Sequence, residues 1–252
     1  MVQFQLLIGL VSSLLCYGIR ILPAGRFNTT KAYAEPRRLQ NVFVEKPKSP
    51  DEHLVGDLPL QQRPFPTQHW AGHLPASSSN DKYFFYWLFA PEAATREELV
   101  DVPLLIWLNG GPACSSMDGL FIENGPMRLT RNPQTNAFEL TYEQHSWHKA
   151  PAYTLYIDQP VGTGLSFTTS QMYPRNDEEV NTDIYYFLQE FFALHSDKFV
   201  ANGVLNRNLF FSGESYAGTS QMFAVTAAVD STMGRYDAHG NRNSHLLLFF
   251  CS

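Results

Sequence analysis

An α/β fold built on one mixed, mostly parallel sheet follows from three features of the sequence. Short aromatic and aliphatic runs bounded by Pro, Gly and charge occur at 83–89 (YFFYWLF), 103–108 (PLLIWL), 153–158 (YTLYID) and 208–212 (NLFFS), the pattern of buried strands. Between the last two, NDEEVNTDIYYFLQEFFALHSDKF sets Val180, Ile184, Phe187, Leu188, Phe191 and Leu194 at helical spacing behind an acidic first turn. A strand, a helix and a second strand in that order make a βαβ unit, and so a parallel pair.

The 252 residues, 44% hydrophobic and 14% aromatic, can bury a large core. The net charge of −6 leaves no basic field for phosphates, which excludes nucleic acid as a partner. At the N-terminus the apolar run Phe4 to Ile19 is only marginally long for a membrane span of about 20 residues. It reads as a secretory signal with cleavage after Ala34 or Ala24, and a retained anchor is the alternative. The first unit is therefore 1–34, a signal and processing segment.

The sequon Asn28-Thr29-Thr30 is available to glycosylation only if it stays on the mature chain. Beyond the signal, Cys114 and Cys251 remain to pair with each other, or Cys114 with a partner elsewhere. The stretch 35–79, rich in Pro, Gln and charge and without a sustained period, reads as an extended lead-in. It opens the main domain, 35–219, which is followed by a divergent tail, 220–252.

Chemistry gathers at two strand ends. In Gly213-Glu214-Ser215-Tyr216-Ala217-Gly218, small residues two before and two after the serine suit a strained strand-to-helix elbow that lifts Oγ clear of the backbone. A helix N-cap serine is the plainer reading of the same residues. In Trp107-Leu108-Asn109-Gly110-Gly111-Pro112, a strand runs straight into bare backbone N–H groups that can meet a developing oxyanion. The two donors would be Gly111 and Tyr216, the residue after the serine. A glycine turn that merely reverses the chain would look the same.

His69 and His73 lie four apart, but Gly72 and Pro75 argue against a helix and no third ligand is spaced nearby, so no metal site is expected. His145 and His148 precede the serine and read as loop residues. No cofactor is indicated.

Taken in order, WLNGGPACSSMDGLFIENGP, IDQPVGTGLSF and FFSGESYAG resemble the serine carboxypeptidase family over about residues 70–219. Within it, YFFYWLF, Met117-Asp118-Gly119 and DQPVGTG are most similar to the fungal pheromone-processing, basic-residue-specific branch. The resemblance implies an α/β-hydrolase fold, release of single C-terminal residues from peptides or proteins, and a place in the secretory pathway. It also implies Ser215 as nucleophile, with Gly111 and Tyr216 as the oxyanion hole. Asn109, Gly110, Glu123 and Glu214 would hold the substrate's terminal carboxylate. Two adjacent carboxyls cannot both ionise, so one keeps a proton to donate to a third; two separate solvated acids are the alternative.

The chain departs from the family pattern after Gly218. Thr219-Ser220-Gln221-Met222 breaks it, HGNRNSHLLLFFCS matches nothing, and Asp230, Asp237, His239 and His245 sit in no family motif. No triad Asp or His can be carried over. The sequence reads as the N-terminal part of such an enzyme, cut off after the elbow, with weak or no turnover and with any C-terminal membrane anchor missing. A non-catalytic peptide-binding or misread fragment and an acyltransferase are the other readings. Ala113 stands where the family has Gly, at a cost of about 1–2 kcal/mol if that position needs positive φ.

Overall fold

The computed structural model describes residues 45–92, 102–201, 204–205, 208–218 and 246–251. The expected signal, the sequon and the four tail residues Asp230, Asp237, His239 and His245 lie outside them. Among the described residues no helix is long and apolar enough to cross a membrane.

The expected strands form as β2 (Lys82–Phe89), β3 (Leu104–Leu108), β6 (Tyr153–Ile157) and β10 (Leu209–Glu214). They share a sheet with β1 (His69–Pro75), β11 (Leu246–Cys251) and the short β7 (Phe167–Thr168). The strand order is β1-β2-β6-β3-β10-β11, with β7 pairing against β2. The β1–β2 and β2–β6 pairs are antiparallel, while β6–β3, β3–β10 and β10–β11 are parallel. A second, small sheet is the hairpin of β4 (Met127–Arg131) and β5 (Phe138–Tyr142), and β8 (Val200–Ala201) pairs with β9 (Val204–Leu205).

Both faces of the main sheet are covered, which is why its strands read as unbroken apolar runs. On one side Phe84, Tyr86, Leu88, Ile106 and Leu155 pack with Ile184, Phe187 and Phe191 of helix α1 (Asp177–Leu194). On the other, Phe85, Trp87, Phe89, Trp107 and Tyr156 meet Met117, Leu120 and Met127. Each large side chain so buried stabilises the fold by about 1.5–3 kcal/mol.

Helix α1 starts where the sequence places it. The Asn176 side chain accepts from the Glu179 N–H at 2.9 Å, and Glu179 reaches back to the Arg175 N–H at 2.9 Å. This reciprocal cap satisfies donors that a helix N-terminus leaves open. Val180, Ile184, Phe187, Leu188 and Phe191 are buried as expected, and Leu194 is partly so. Asp183 on the same helix is also buried, because both of its oxygens accept from Lys82 Nζ of β2 at 2.8 Å.

Two expectations need correction. The lead-in 35–79 is not structureless: it holds a 3₁₀ turn, Pro50–His53, and all of β1. The strand His69–Pro75 hides in HWAGHLP because histidines occupy strand positions without a polar exterior: His69 stacks on Phe89 and accepts from Trp87 Nε1 at 3.0 Å. Next, β6 and β10 flank α1 in the chain and run parallel, but β3 lies between them. Residues 246–251 of the tail, where the sequence predicts no element, form the edge of the sheet, with Leu209 opposite Leu246 and Glu214 opposite Cys251.

Candidate active site

Because β3 and β10 are parallel neighbours, with Gly213 opposite Leu108, their C-terminal ends open side by side. Asn109, Gly110 and Gly111 leave one, and Glu214, Ser215 and Tyr216 the other. This is where ligands enter α/β sheets, outside the carboxyl ends of adjacent strands.

Ser215 is exposed, starts the 3₁₀ turn Ser215–Gly218 and has φ 51°, a left-handed conformation rather than the extended backbone of an N-cap. Such local strain is the mark of an elbow that presents a side chain. Gly110 lies against it so closely that a Cβ would stand 2.6 Å from the Glu214 carbonyl oxygen and 2.8 Å from the Tyr216 nitrogen. Only glycine lets the two strand ends approach this far. Gly111 follows, exposed, at φ 111°.

Asn109 is buried, and every hydrogen-bonding position of its amide is used. Its Oδ1 accepts from Trp107 Nε1 at 2.7 Å and from the Gly119 N–H at 3.1 Å. The indole N–H can only donate, so Oδ1 faces it and Nδ2 must point the other way. There Nδ2 donates to Glu123 Oε1 at 3.0 Å and to Glu214 Oε1 at 2.9 Å. One amide thus joins two carboxyl groups from distant parts of the chain. Gly119 makes the packing possible, since a Cβ there would fall 2.2 Å from Trp107 Nε1. Half burial, with Glu214 close by, raises the Glu123 pKa; Asn109 and Arg128 partly offset the shift.

Glu123 sits at the end of a π-turn, Gly119–Glu123. The loop before it is held by Asp158, which is fully buried and accepts from Ser115 Oγ at 2.6 Å, the Ser116 N–H at 2.9 Å and the Leu165 N–H at 2.9 Å. Ser116 Oγ in turn accepts from the Asn109 N–H at 3.1 Å. Burial pushes the Asp158 pKa up to about 6, against the pull of these bonds. On the far side of the elbow, the Tyr216 hydroxyl donates to Asp177 Oδ1 at 2.9 Å.

All seven site residues expected from sequence, Asn109, Gly110, Gly111, Glu123, Glu214, Ser215 and Tyr216, therefore lie at these adjoining strand ends or on the turn joined to them through Asn109. The histidines go elsewhere. His73 bonds the Leu165 carbonyl at 2.9 Å, His148 is buried against Ser146 Oγ, and His145 is exposed in a loop. Sequence reasoning passed over Trp107, Ser116, Gly119 and Asp158, although all four lie inside the quoted motifs. Their roles depend on contacts between loops that spacing does not encode.

Ala113 adopts φ 70°. Replacing it by glycine is expected to stabilise the protein by about 1 kcal/mol, the left-handed cost less the extra entropy that glycine loses on folding. Urea denaturation of the parent and Ala113→Gly chains measures this, and a midpoint shift to lower urea would refute the strain.

A serine at a positive-φ elbow after a central parallel strand, on a mixed sheet covered on both faces, defines the α/β-hydrolase fold class. Within that class the chain belongs to the serine carboxypeptidase family, whose family model matches residues 59–232. It is 40% identical over 190 residues to serine carboxypeptidase S10 family member 2 of Dictyostelium discoideum, covering 75% of this chain and 32% of that protein. It is 39% identical over 158 residues to the pheromone-processing carboxypeptidase KEX1 of Candida glabrata, covering 60% of this chain and 20% of that one. The crystal structure of the prohormone-processing carboxypeptidase Kex1 from Saccharomyces cerevisiae superposes with a TM-score of 0.61 at 29% identity, over 79% of this chain and 43% of that one. The chain thus spans less than half the length of each.

Proposed function

We propose that the protein serves C-terminal exopeptidase chemistry, in which Ser215 attacks the last peptide carbonyl, expels the terminal amino acid and forms an acyl-enzyme that water resolves. The observation that carries this reading is the Asn109 amide joining Glu123 and Glu214 beside the Ser215 elbow. An endopeptidase has no use for a second carboxyl group, of raised pKa, tied through one amide to the carboxyl beside its nucleophile. An exopeptidase needs one, to receive a terminal carboxylate without a buried cation. In this arrangement Asn109, Gly110, Glu123 and Glu214 bind that carboxylate, and the N–H groups of Gly111 and Tyr216 receive the oxyanion.

The motifs YFFYWLF, Met117-Asp118-Gly119 and DQPVGTG, which resemble the basic-residue-specific branch, support Lys or Arg as the residue released, and the apolar N-terminal run supports a secretory location. A second reading, a peptide-binding protein without turnover, draws on one observation: among the described residues no imidazole is hydrogen-bonded to Ser215.

Both readings share the carboxylate site, and pH tests it. Glu123 has a raised pKa, so its proton persists to higher pH than that of an ordinary carboxyl and is lost as pH passes that value. Binding of a fluorescent peptide with a free C-terminus should weaken from acid toward neutral pH, while its C-terminal amide shows no such trend. Glu123→Gln, which keeps a donor and loses the proton, should flatten the curve. Equal binding of acid and amide by the parent chain at every pH would sink the assignment.

A further inference from the structure

Glu123 stands on a turn whose carbonyl groups have lost their helical partners. The π-turn closes with the Asn124 and Gly125 N–H groups both on the Gly119 carbonyl, at 2.9 and 3.0 Å. Past that point no following turn supplies donors for its last carbonyls. Arg128, four-fifths buried on β4, supplies them. Its Nη2 donates to the Glu123 carbonyl, and its Nη1 to those of Gly125 at 2.8 Å, Met127 at 2.9 Å and Leu120 at 3.5 Å. Glu143 Oε2 lies behind it, 3.6 Å from Nε.

The geometry points to Arg128 as a positioning residue of the carboxylate site: its guanidinium fork clamps the backbone that aims the Glu123 side chain at Asn109 Nδ2. This rests on the carboxylate-binding reading above. Two effects are separable. The planar fork fixes several carbonyls at once, which a point charge cannot do. The positive charge also favours the ionised form of Glu123 and opposes the influence of Glu214. The other groups facing this turn are Asn109 and Tyr156, whose hydroxyl donates to Asn124 Oδ1 at 3.0 Å. Neither carries charge at neutral pH, so Arg128, with Glu143 behind it, and Glu214 set the local field.

The test uses the full chain with a fluorescent peptide as free acid and as amide, titrated from pH 4.5 to 8, beside circular dichroism of each variant. Arg128→Lys keeps charge and loses the fork: the acid-over-amide preference should fall by about tenfold, as expected when charge-assisted bonds are lost, with its pH midpoint in place. Arg128→Met loses both: the preference should fall at least as far and the midpoint should move to higher pH. A residue that only stabilised the fold would lower the melting temperature and leave preference and midpoint untouched in the folded protein, and that result overturns the inference. If Arg128→Met does not fold, the lysine variant decides alone. A parent that binds acid and amide equally overturns this inference together with the carboxylate site, whereas a parent that discriminates beside unaltered variants overturns this inference only.

Discussion

Release of C-terminal Arg, Lys or Leu from blocked dipeptides by the purified 252-residue chain is expected to run about 10⁴–10⁶-fold below an ordinary enzyme rate, the scale of losing a triad member. A serine hydroxyl is a weak nucleophile until a base takes its proton. Around Ser215 the structure provides the elbow and the Asn109 amide joined to Glu123 and Glu214, but five of the six described imidazoles have other work and the sixth, His145, is exposed in a loop. His53 and His195 both bond the Tyr86 hydroxyl, at 2.8 and 2.9 Å, and His69 bonds Trp87. His73 and His148 are held by Leu165 and Ser146. Binding without the base should survive, since Asn109, Glu123 and Glu214 do not depend on it. Turnover of roughly 1 s⁻¹ or more, a normal enzyme rate, would refute the expectation and assign the base to His239 or His245. Substituting each of those in turn would show which.

Acid should unfold the protein between about pH 6 and pH 4. Burial lowers the pKa of His53 to about 4, of His69 to about 4 and of His195 to about 3. The unfolded chain binds these protons near the ordinary histidine value of about 6.5. Folded pKa values lie below unfolded ones, so the stability these groups contribute is complete above about pH 6.5 and is lost as pH falls toward the folded values. Each shifted group contributes a slope of about 1.4 kcal/mol per pH unit across its window. Asp158 runs the other way: its folded pKa of about 6 lies above the unfolded value, so its burial costs stability at neutral pH and that cost fades as pH falls. These three histidines against Asp158 leave a loss of about 3 kcal/mol per pH unit, set against a typical total of about 5–15 kcal/mol; the lowered pKa values of His73 and His148 add to it and the raised one of Asp183 opposes it.

The cause is visible in the packing. Tyr86 is fully buried, its hydroxyl lies between two imidazoles, and His195 Nδ1 has no partner among the described residues. Thermal melts from pH 7.5 to 4.5 provide the measurement. His53→Gln should reduce the slope by about 1.4 kcal/mol per pH unit. A melting temperature constant across that range would show that the three histidines titrate normally.

The sequence by itself determined the covalent and local part of this protein. Continuous apolar runs fixed β2, β3, β6 and β10, because strands covered on both faces admit no polar alternation. Spacing of 3.6 and an acidic first turn fixed α1, since these are relations between residues a turn or so apart. The glycines around Ser215 and after Asn109 announced close approach, because only backbone without a side chain can make it. Tertiary structure decided the rest. That β3 lies between β6 and β10 depends on strand pairing across more than a hundred residues, and this pairing sets the Asn109 and Ser215 segments side by side. The histidines of β1, a strand concealed in HWAGHLP, are explained only by the aromatic rings they pack against. Asp158 and Arg128 each look like ordinary surface charges in the sequence. They act at the site because folding surrounds one with N–H and hydroxyl donors and the other with carbonyls, and a buried charge takes its meaning from the groups that replace its water.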